Sequence, residues 1–248
     1  MKKYLAVTFI KYGAICLIVQ IHNVRYENMD YYIMSIKEKR VHEVQLDLLV
    51  KFQHICKKYN LHYFADGGTL LGAVRHQGFI PWDDDIDVAM MWSDYQKFME
   101  VAPKECQYPY VYQCPFTEQE ALIEASRLRR SDTTGFTKWE HENVGKQYDR
   151  GIFLDIFPMF YIPDSEEERR AQKEIVLYYW RVIRGYEALQ YKKRTGSLNP
   201  SYNSYIPVFQ EYYKKMGSQS IDIFNLKKQY LDACAWENVR SKEVGYTS

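Results

Sequence analysis

Between Ile36 and Tyr59 the apolar residues Val41, Val44, Leu48, Phe52 and Ile55 return at three- and four-residue steps. That period predicts an amphipathic helix, with Asn60 as its stop. Leu61–Ala65 is short, apolar and aromatic, and predicts a strand. Asp66-Gly67-Gly68-Thr69 then interrupts the pattern, and Leu70–Arg75 reads as a short helix. After Pro81-Trp82, the run Asp85–Met91 predicts a second strand. Ser93-Asp94-Tyr95-Gln96 has the spacing of a capping box and opens a helix through Ala102. Tyr110–Cys114 predicts a strand, Ala121–Arg130 fits either a strand or a helix, and Gly151–Phe157 is an apolar strand. Ser165-Glu166-Glu167-Glu168 is a further capping box, heading a helix to about Leu189. Lys192–Ser204 reads as a loop, and two helices follow near Tyr205–Lys215 and Ile221–Val239. Strands mixed with helices, then mostly helices, predict an α/β (α+β) fold: a mixed sheet flanked by helices, with a helical C-terminal part. The division expected is an N-terminal extension over 1–33, a core over 34–165 and a helical region over 166–248.

The stretch from Tyr4 to Ile21 is apolar but broken by Lys11. A signal peptide wants an uninterrupted apolar core and a small-residue cleavage site, and a transmembrane span wants about 20 apolar residues. The stretch suits neither. A membrane-associated helix, a loosely attached extension, or a true start at Met29 or Met34 remain as readings.

Composition narrows the classes. With 248 residues, 46% of them hydrophobic and 26% charged, the chain can build an ordinary globular core without staples. Its 33 Lys and Arg nearly cancel its 32 Asp and Glu, so no basic field exists to hold a nucleic-acid backbone. Cys16, Cys56, Cys106, Cys114 and Cys234 are odd in number and widely spaced, with no CxxC pair. They read as reduced thiols of a cytoplasmic protein, neither a zinc ribbon nor a disulfide framework.

The densest chemistry lies between Asp66 and Asp87. Four of the five residues Asp83–Asp87 are aspartates. On an extended backbone Asp83, Asp85 and Asp87 share one side, and Asp84 lies on the other with Ile86. Crowded carboxylates repel and take up protons unless a cation neutralises them. A hard ion suits them best, Mg²⁺ foremost and Mn²⁺ as its substitute. An acidic surface loop is the common fate of such a run. Here Ile86, Val88, Ala89 and Met90 put the acids at the lip of a buried strand. An EF-hand fits poorly, because Val88 stands where its glycine belongs and Asp94 where its glutamate belongs. The Asp-x-Asp of a nucleotide-sugar glycosyltransferase stays open as an alternative. Gly67-Gly68-Thr69 falls between a strand and a helix, where glycines let a backbone approach phosphate and a helix start offers N–H groups. No GK[ST] follows, so it is no P-loop.

The run GGTLLGAVRHQGFIPWDDDIDVAM, Gly67–Met90, resembles the LicD family of phosphotransferases, and GIFLDIFPM, Gly151–Met159, is a second match. The resemblance covers roughly residues 40 to 165. It implies a nucleotidyltransferase-type fold and Mg²⁺-dependent transfer of a substituted phosphate from a CDP-activated donor to a glycan hydroxyl. In the best-known bacterial members the group is phosphocholine from CDP-choline, placed on lipopolysaccharide or teichoic acid sugars. Relatives transfer other groups, such as ribitol phosphate. The site would work in the cytoplasm, at the inner face of the cytoplasmic membrane, with peripheral membrane association.

Carried over by position, Asp85 and Asp87 become the principal metal ligands, Asp83 an auxiliary ligand, and Asp155 the third catalytic carboxylate and metal ligand. Asp155 stands out independently, as an acid inside the apolar run Ile152-Phe153-Leu154-Asp155-Ile156-Phe157; a structural pair with an Arg is its alternative. Gly67, Gly68 and Thr69 become the phosphate cradle. Arg75 and His76, at the end of the short helix, are further nucleotide or phosphate contacts. Arg127 and Arg129 share a face if their segment is extended, and one of them is expected to clamp donor phosphates. One departure stands out: the Tyr-Gly-Asp-type segment that family members carry further on is not found before Ser248. A shortened metal- or nucleotide-binding pseudoenzyme is therefore the non-enzymatic rival. The Tyr-rich stretch from Tyr178 to Tyr213 is the remaining acceptor-side candidate.

Overall fold

A computed structural model describes residues 34–118, 123–143, 148–199, 201–217, 220–236 and 244–245. The apolar stretch Tyr4–Ile21 and its alternative starts up to Met29 lie outside the described residues. Among those described, no helix is long and apolar enough to cross a membrane.

The opening helix α1 is Ile36–Tyr59. Ser35 and Glu38 form a full capping box at its start, and Asn60 ends it in the left-handed conformation. The short strand β1, Phe64–Ala65, leads into α2, Gly67–His76. Strand β2 is Asp87–Met91, α3 is Trp92–Glu105, and β3 is Tyr110–Gln113. Then come β4, Ser126–Arg130; the six-residue α4, Lys138–Asn143; and β5, Ile152–Tyr161. The long α5, Glu166–Thr195, precedes α6, Ile206–Lys215, and α7, Ile223–Ala235; the two-residue β6 is Val244–Gly245.

The strands form one mixed sheet in the order β1-β2-β5-β4-β3, with β6 against the end of β5. Among the described residues only the β2/β5 pairing is parallel; β1/β2, β4/β5, β3/β4 and β5/β6 are antiparallel. Leu48, Phe52 and Ile55 of α1, with Tyr95 and Phe98 of α3, pack on Val88, Met90, Leu128, Leu154 and Ile156 of the sheet. This is the alternation that strands with one covered face should show. A second cluster joins Val176, Val182 and Ile183 of α5 to Phe209 of α6 and Leu226, Tyr230 and Leu231 of α7, and takes in Phe160 of β5. Trp92 packs against both clusters and lies over Tyr95 and Phe160, with ring centroids 5.8 and 5.1 Å away.

Several boundaries differ from expectation. α2 begins at Gly67, so the glycines form its first turn; Gly67 has φ +47°, which suits a residue with no Cβ. α3 starts at Trp92, and the capping box expected at Ser93 does not form. Asp94 turns instead to His62, accepting its backbone N–H at 3.2 Å and pairing with Nδ1 at 3.3 Å. The ambiguous segment before Arg130 resolves as strand because it pairs on both sides. α5 continues to Thr195 and stops at Gly196, which has φ +75°. That places Lys192 to Thr195, expected in a loop, inside the helix.

Candidate active site

The sheet face turned away from α1 and α3 gathers the chemistry. Asp87 of β2 lies opposite Asp155 of β5, and Arg127 of β4 lies opposite Asp155 on the other side. Residues in register across a sheet point the same way. Two acids remote in sequence, and the arginine between which Asp155 sits, therefore form one row. Asp155 accepts a hydrogen bond from Arg127 Nε at 2.6 Å. So Asp155 is both part of the acidic row and one half of an ion pair with an arginine.

The first turn of α2 abuts this row. The backbone N–H of Asp87 donates to Thr69 Oγ1 at 2.8 Å, and that of Asp66 to the Asp87 carbonyl at 3.1 Å. Thr69 thus ties α2 to β2 and caps nothing; the N-cap residue, Asp66, makes no side-chain cap bond. A Cβ on Gly68 would stand 2.4 Å from Asp83 Oδ2, and one on Gly67 would stand 3.4 Å from Asp87 Oδ2. The glycines admit carboxylates against the positive end of the helix.

The acidic run itself departs from simple alternation. Residues 83–86 precede the strand, and a turn at 81–82 bends the chain just before them. Asp84 therefore does not lie on the opposite side. Among the described residues, the group of three carboxylates whose oxygens all lie within 4.8 Å of one another is Asp83, Asp84 and Asp85. Asp87 interacts electrostatically with Asp83, Asp85 and Asp155, and Arg127 holds one oxygen of Asp155. Burial, then the charges of Asp83 and Asp84, push the Asp85 carboxyl up to about 6. Burial, then Asp85, Asp155, Asp66 and Asp83, push Asp87 up to about 7. Burial raises Asp155 too, against the pull of Arg127. A set of hard oxygen donors that holds protons near neutral pH is what Mg²⁺ or Mn²⁺ would relieve, so the residues present fit such an ion.

Arg127 and Arg129 do share a face, as expected, and both guanidinium groups lie over the Phe153 ring, at 4.0 and 4.6 Å. Their environments differ. Arg129 is fully buried. It donates to Gln113 Oε1 at 2.5 Å, to the Gly151 carbonyl at 2.7 Å and to Glu140. Enclosed in this way, it cannot reach a donor phosphate, which corrects the expectation for Arg129. Arg127 reaches Asp155 with Nε and Glu140 with a terminal nitrogen, at 2.5 Å. Arg75 is exposed at the far end of α2, and the ring of His76 meets that of Trp82 edge-on at 6.4 Å.

Three residues that the sequence reading passed over support the site. Glu140, 1% exposed, bridges Arg127 and Arg129 and accepts the N–H of Thr137 at 2.8 Å. His42 Nε2 donates to the Asp83 carbonyl at 2.6 Å and its ring stacks on Phe79 at 3.9 Å. Gln45 donates to the carbonyls of Asp84, at 3.1 Å, and Phe153, at 2.9 Å. His42 and Gln45 occupy buried positions of α1 where an amphipathic stripe should be apolar, and that was the available signal.

With this geometry in place, comparison with known proteins becomes specific. The family model "LicD/FKTN/FKRP, nucleotidyltransferase domain" matches residues 60–182, which span the glycine turn, the acidic strand, the Arg127 strand and Asp155. The chain belongs to the LicD family. The lipopolysaccharide cholinephosphotransferase LicD of Haemophilus influenzae is 47% identical over 68 residues, 27% of this chain and 25% of that protein. An uncharacterized protein of Rickettsia typhi is 42% identical over 80 residues, 31% of this chain and 26% of its own length. An uncharacterized protein of Caenorhabditis elegans is 45% identical over 47 residues, 19% of this chain and 12% of its own. The matched part of this LicD chain thus spans about a quarter of the bacterial relatives.

Proposed function

We propose that this LicD-family protein moves a substituted phosphate, in the first instance phosphocholine from CDP-choline, onto a hydroxyl of a lipopolysaccharide- or teichoic-acid-type glycan. The observation that carries the reading is the row Asp87–Asp155–Arg127 on three adjacent strands, beside Asp83, Asp85 and the glycine start of α2. Asp85 and Asp87 would hold Mg²⁺ or Mn²⁺, with Asp83 and Asp155 alongside. When bound, such an ion neutralises the carboxylates and the donor diphosphate. The backbone N–H groups of Gly67 and Gly68 bind a phosphate oxygen of the donor. Asp155, raised by burial and oriented by Arg127, accepts the proton of the attacking hydroxyl. The hydroxyl oxygen bonds to phosphorus as the bond to CMP breaks, giving a phosphodiester. Positioning and fixed charge supply most of the acceleration in such transfers. The acceptor chemistry suits work at the cytoplasmic face of a membrane.

The test is to incubate the full chain with Mg²⁺, CDP-choline and candidate glycans, and to identify the products. CMP with a phosphodiester product is expected. Release of a nucleoside diphosphate from a nucleotide sugar, with a new glycosidic bond, would replace this reading by the Asp-x-Asp glycosyltransferase. Tight nucleotide binding without turnover would replace it by the pseudoenzyme.

A further inference from the structure

Trp82 is the large aromatic residue immediately before the acidic run, and 62% of its surface is exposed. Most tryptophans are largely covered, because the indole carries a large apolar area. This one sits in the turn at 81–82 that delivers Asp83 to the site. Its ring is edge-on to His76, at the end of α2, so it is propped at an angle without being buried. α2 meets this segment through Gly68, close to Asp83, and His76, against Trp82. The exposed indole therefore adjoins the carboxylates: the next residues in the chain, Asp83 and Asp84, supply hydrogen-bond acceptors.

We infer that Trp82 is the stacking platform for the acceptor sugar. A pyranose ring has an apolar C–H face and a rim of hydroxyl donors, and it is uncharged. Its face would lie on the indole and its rim would meet the acids that follow in the chain. The donor phosphates are already assigned to the glycine start of α2, which leaves the indole for the uncharged acceptor. The inference rests on the phosphotransferase reading for the existence of a glycan acceptor, and adds which residue selects it. His76 acts as a positioning residue, holding the indole.

The experiment compares the wild type with Trp82→Ala, Trp82→Phe and His76→Ala. Because Trp82 is mostly exposed, its removal should leave the fold intact, which thermal melting checks. Methyl β-D-galactopyranoside, methyl β-D-glucopyranoside and a lipopolysaccharide core oligosaccharide serve as acceptors. Trp82→Ala is expected to raise the acceptor KM at least tenfold while the KM for CDP-choline changes less than twofold. Trp82→Phe should restore most of the loss, and His76→Ala should give a smaller rise. Saturation-transfer NMR with the same sugars should show contact in the wild type and lose it in Trp82→Ala. An unchanged acceptor KM, or a rise confined to the donor, overturns the inference. Failure of the wild type itself to release CMP is a different result; it removes the phosphotransferase reading, and sugar contact at Trp82 by NMR then still decides whether the platform exists.

Discussion

Asp87 shows how much a single position can be asked to bear. Its carboxyl is pushed up to about 7, first by burial and then by the acids around it. A raised value in the folded state means that folding favours the protonated form. The stability this lends is complete below pH 3.8, the ordinary value, and is lost as pH climbs through about 6 for Asp85 and about 7 for Asp87. Asp87→Asn mimics the protonated group. In EDTA the variant should melt above the wild type at pH 8, with the gap closing toward pH 5; Mg²⁺ should raise the wild type and not the variant. A gap that stays constant with pH would remove the repulsion argument. The sequence alone disclosed these acids, because four aspartates before an apolar strand have few explanations, and Asp155 was visible as one acid in an apolar run. The fate of Arg129 was not visible. Arg127 and Arg129 stand two apart on one strand face; Glu140 of α4 pairs with both, and Gln113 on β3 with the Gly151 carbonyl seals in Arg129.

Local segments explain where sequence reasoning was accurate and where it slipped. α1 was readable, since its stripe and its stop at Asn60 are local signals, whereas its Ser35–Glu38 capping box was passed over. The glycine turn was readable as a breaker but not as the first turn of α2, because the tie that extends the helix is tertiary: Asp87 N–H to Thr69. The capping box expected at Ser93 does not form, because α3 follows β2 directly and starts one residue earlier, at Trp92. The close approach of Gly68 to Asp83 yields a separable test. In a helix Ala is intrinsically favoured over Gly by about 1 kcal/mol, so Gly68→Ala should not lower stability. Its Cβ must nonetheless displace the Asp83 carboxylate. Transfer should fall by about ten- to a hundredfold, the scale of a small misplacement at a reacting centre, with the melting temperature unchanged or higher. Normal turnover in a folded Gly68→Ala protein would show that Asp83 need not stand there.

Taken together, the sheet works as a frame whose two faces do different jobs. One is sealed by α1 and α3 around Phe52, Phe98 and Ile156; the other presents Asp87, Asp155 and Arg127. The helices α5 to α7 build their own cluster, joined to the first through Trp92 and Phe160. Sequence order suggested the two parts, but their junction at Trp92 is a long-range contact that periodicity does not reveal. What the frame achieves is convergence: β2 and β5, far apart along the chain, run parallel so that their acids meet. Titration of Mn²⁺ at pH 7.5, followed by electron paramagnetic resonance in the wild type, Asp85→Asn, Asp87→Asn and Asp155→Asn, reports on that convergence. One bound ion in the wild type, weakened at least tenfold in all three variants, is expected. An ion held equally well after Asp155→Asn and Asp87→Asn would mean that the two strands do not share a metal, and the proposed chemistry would have no centre.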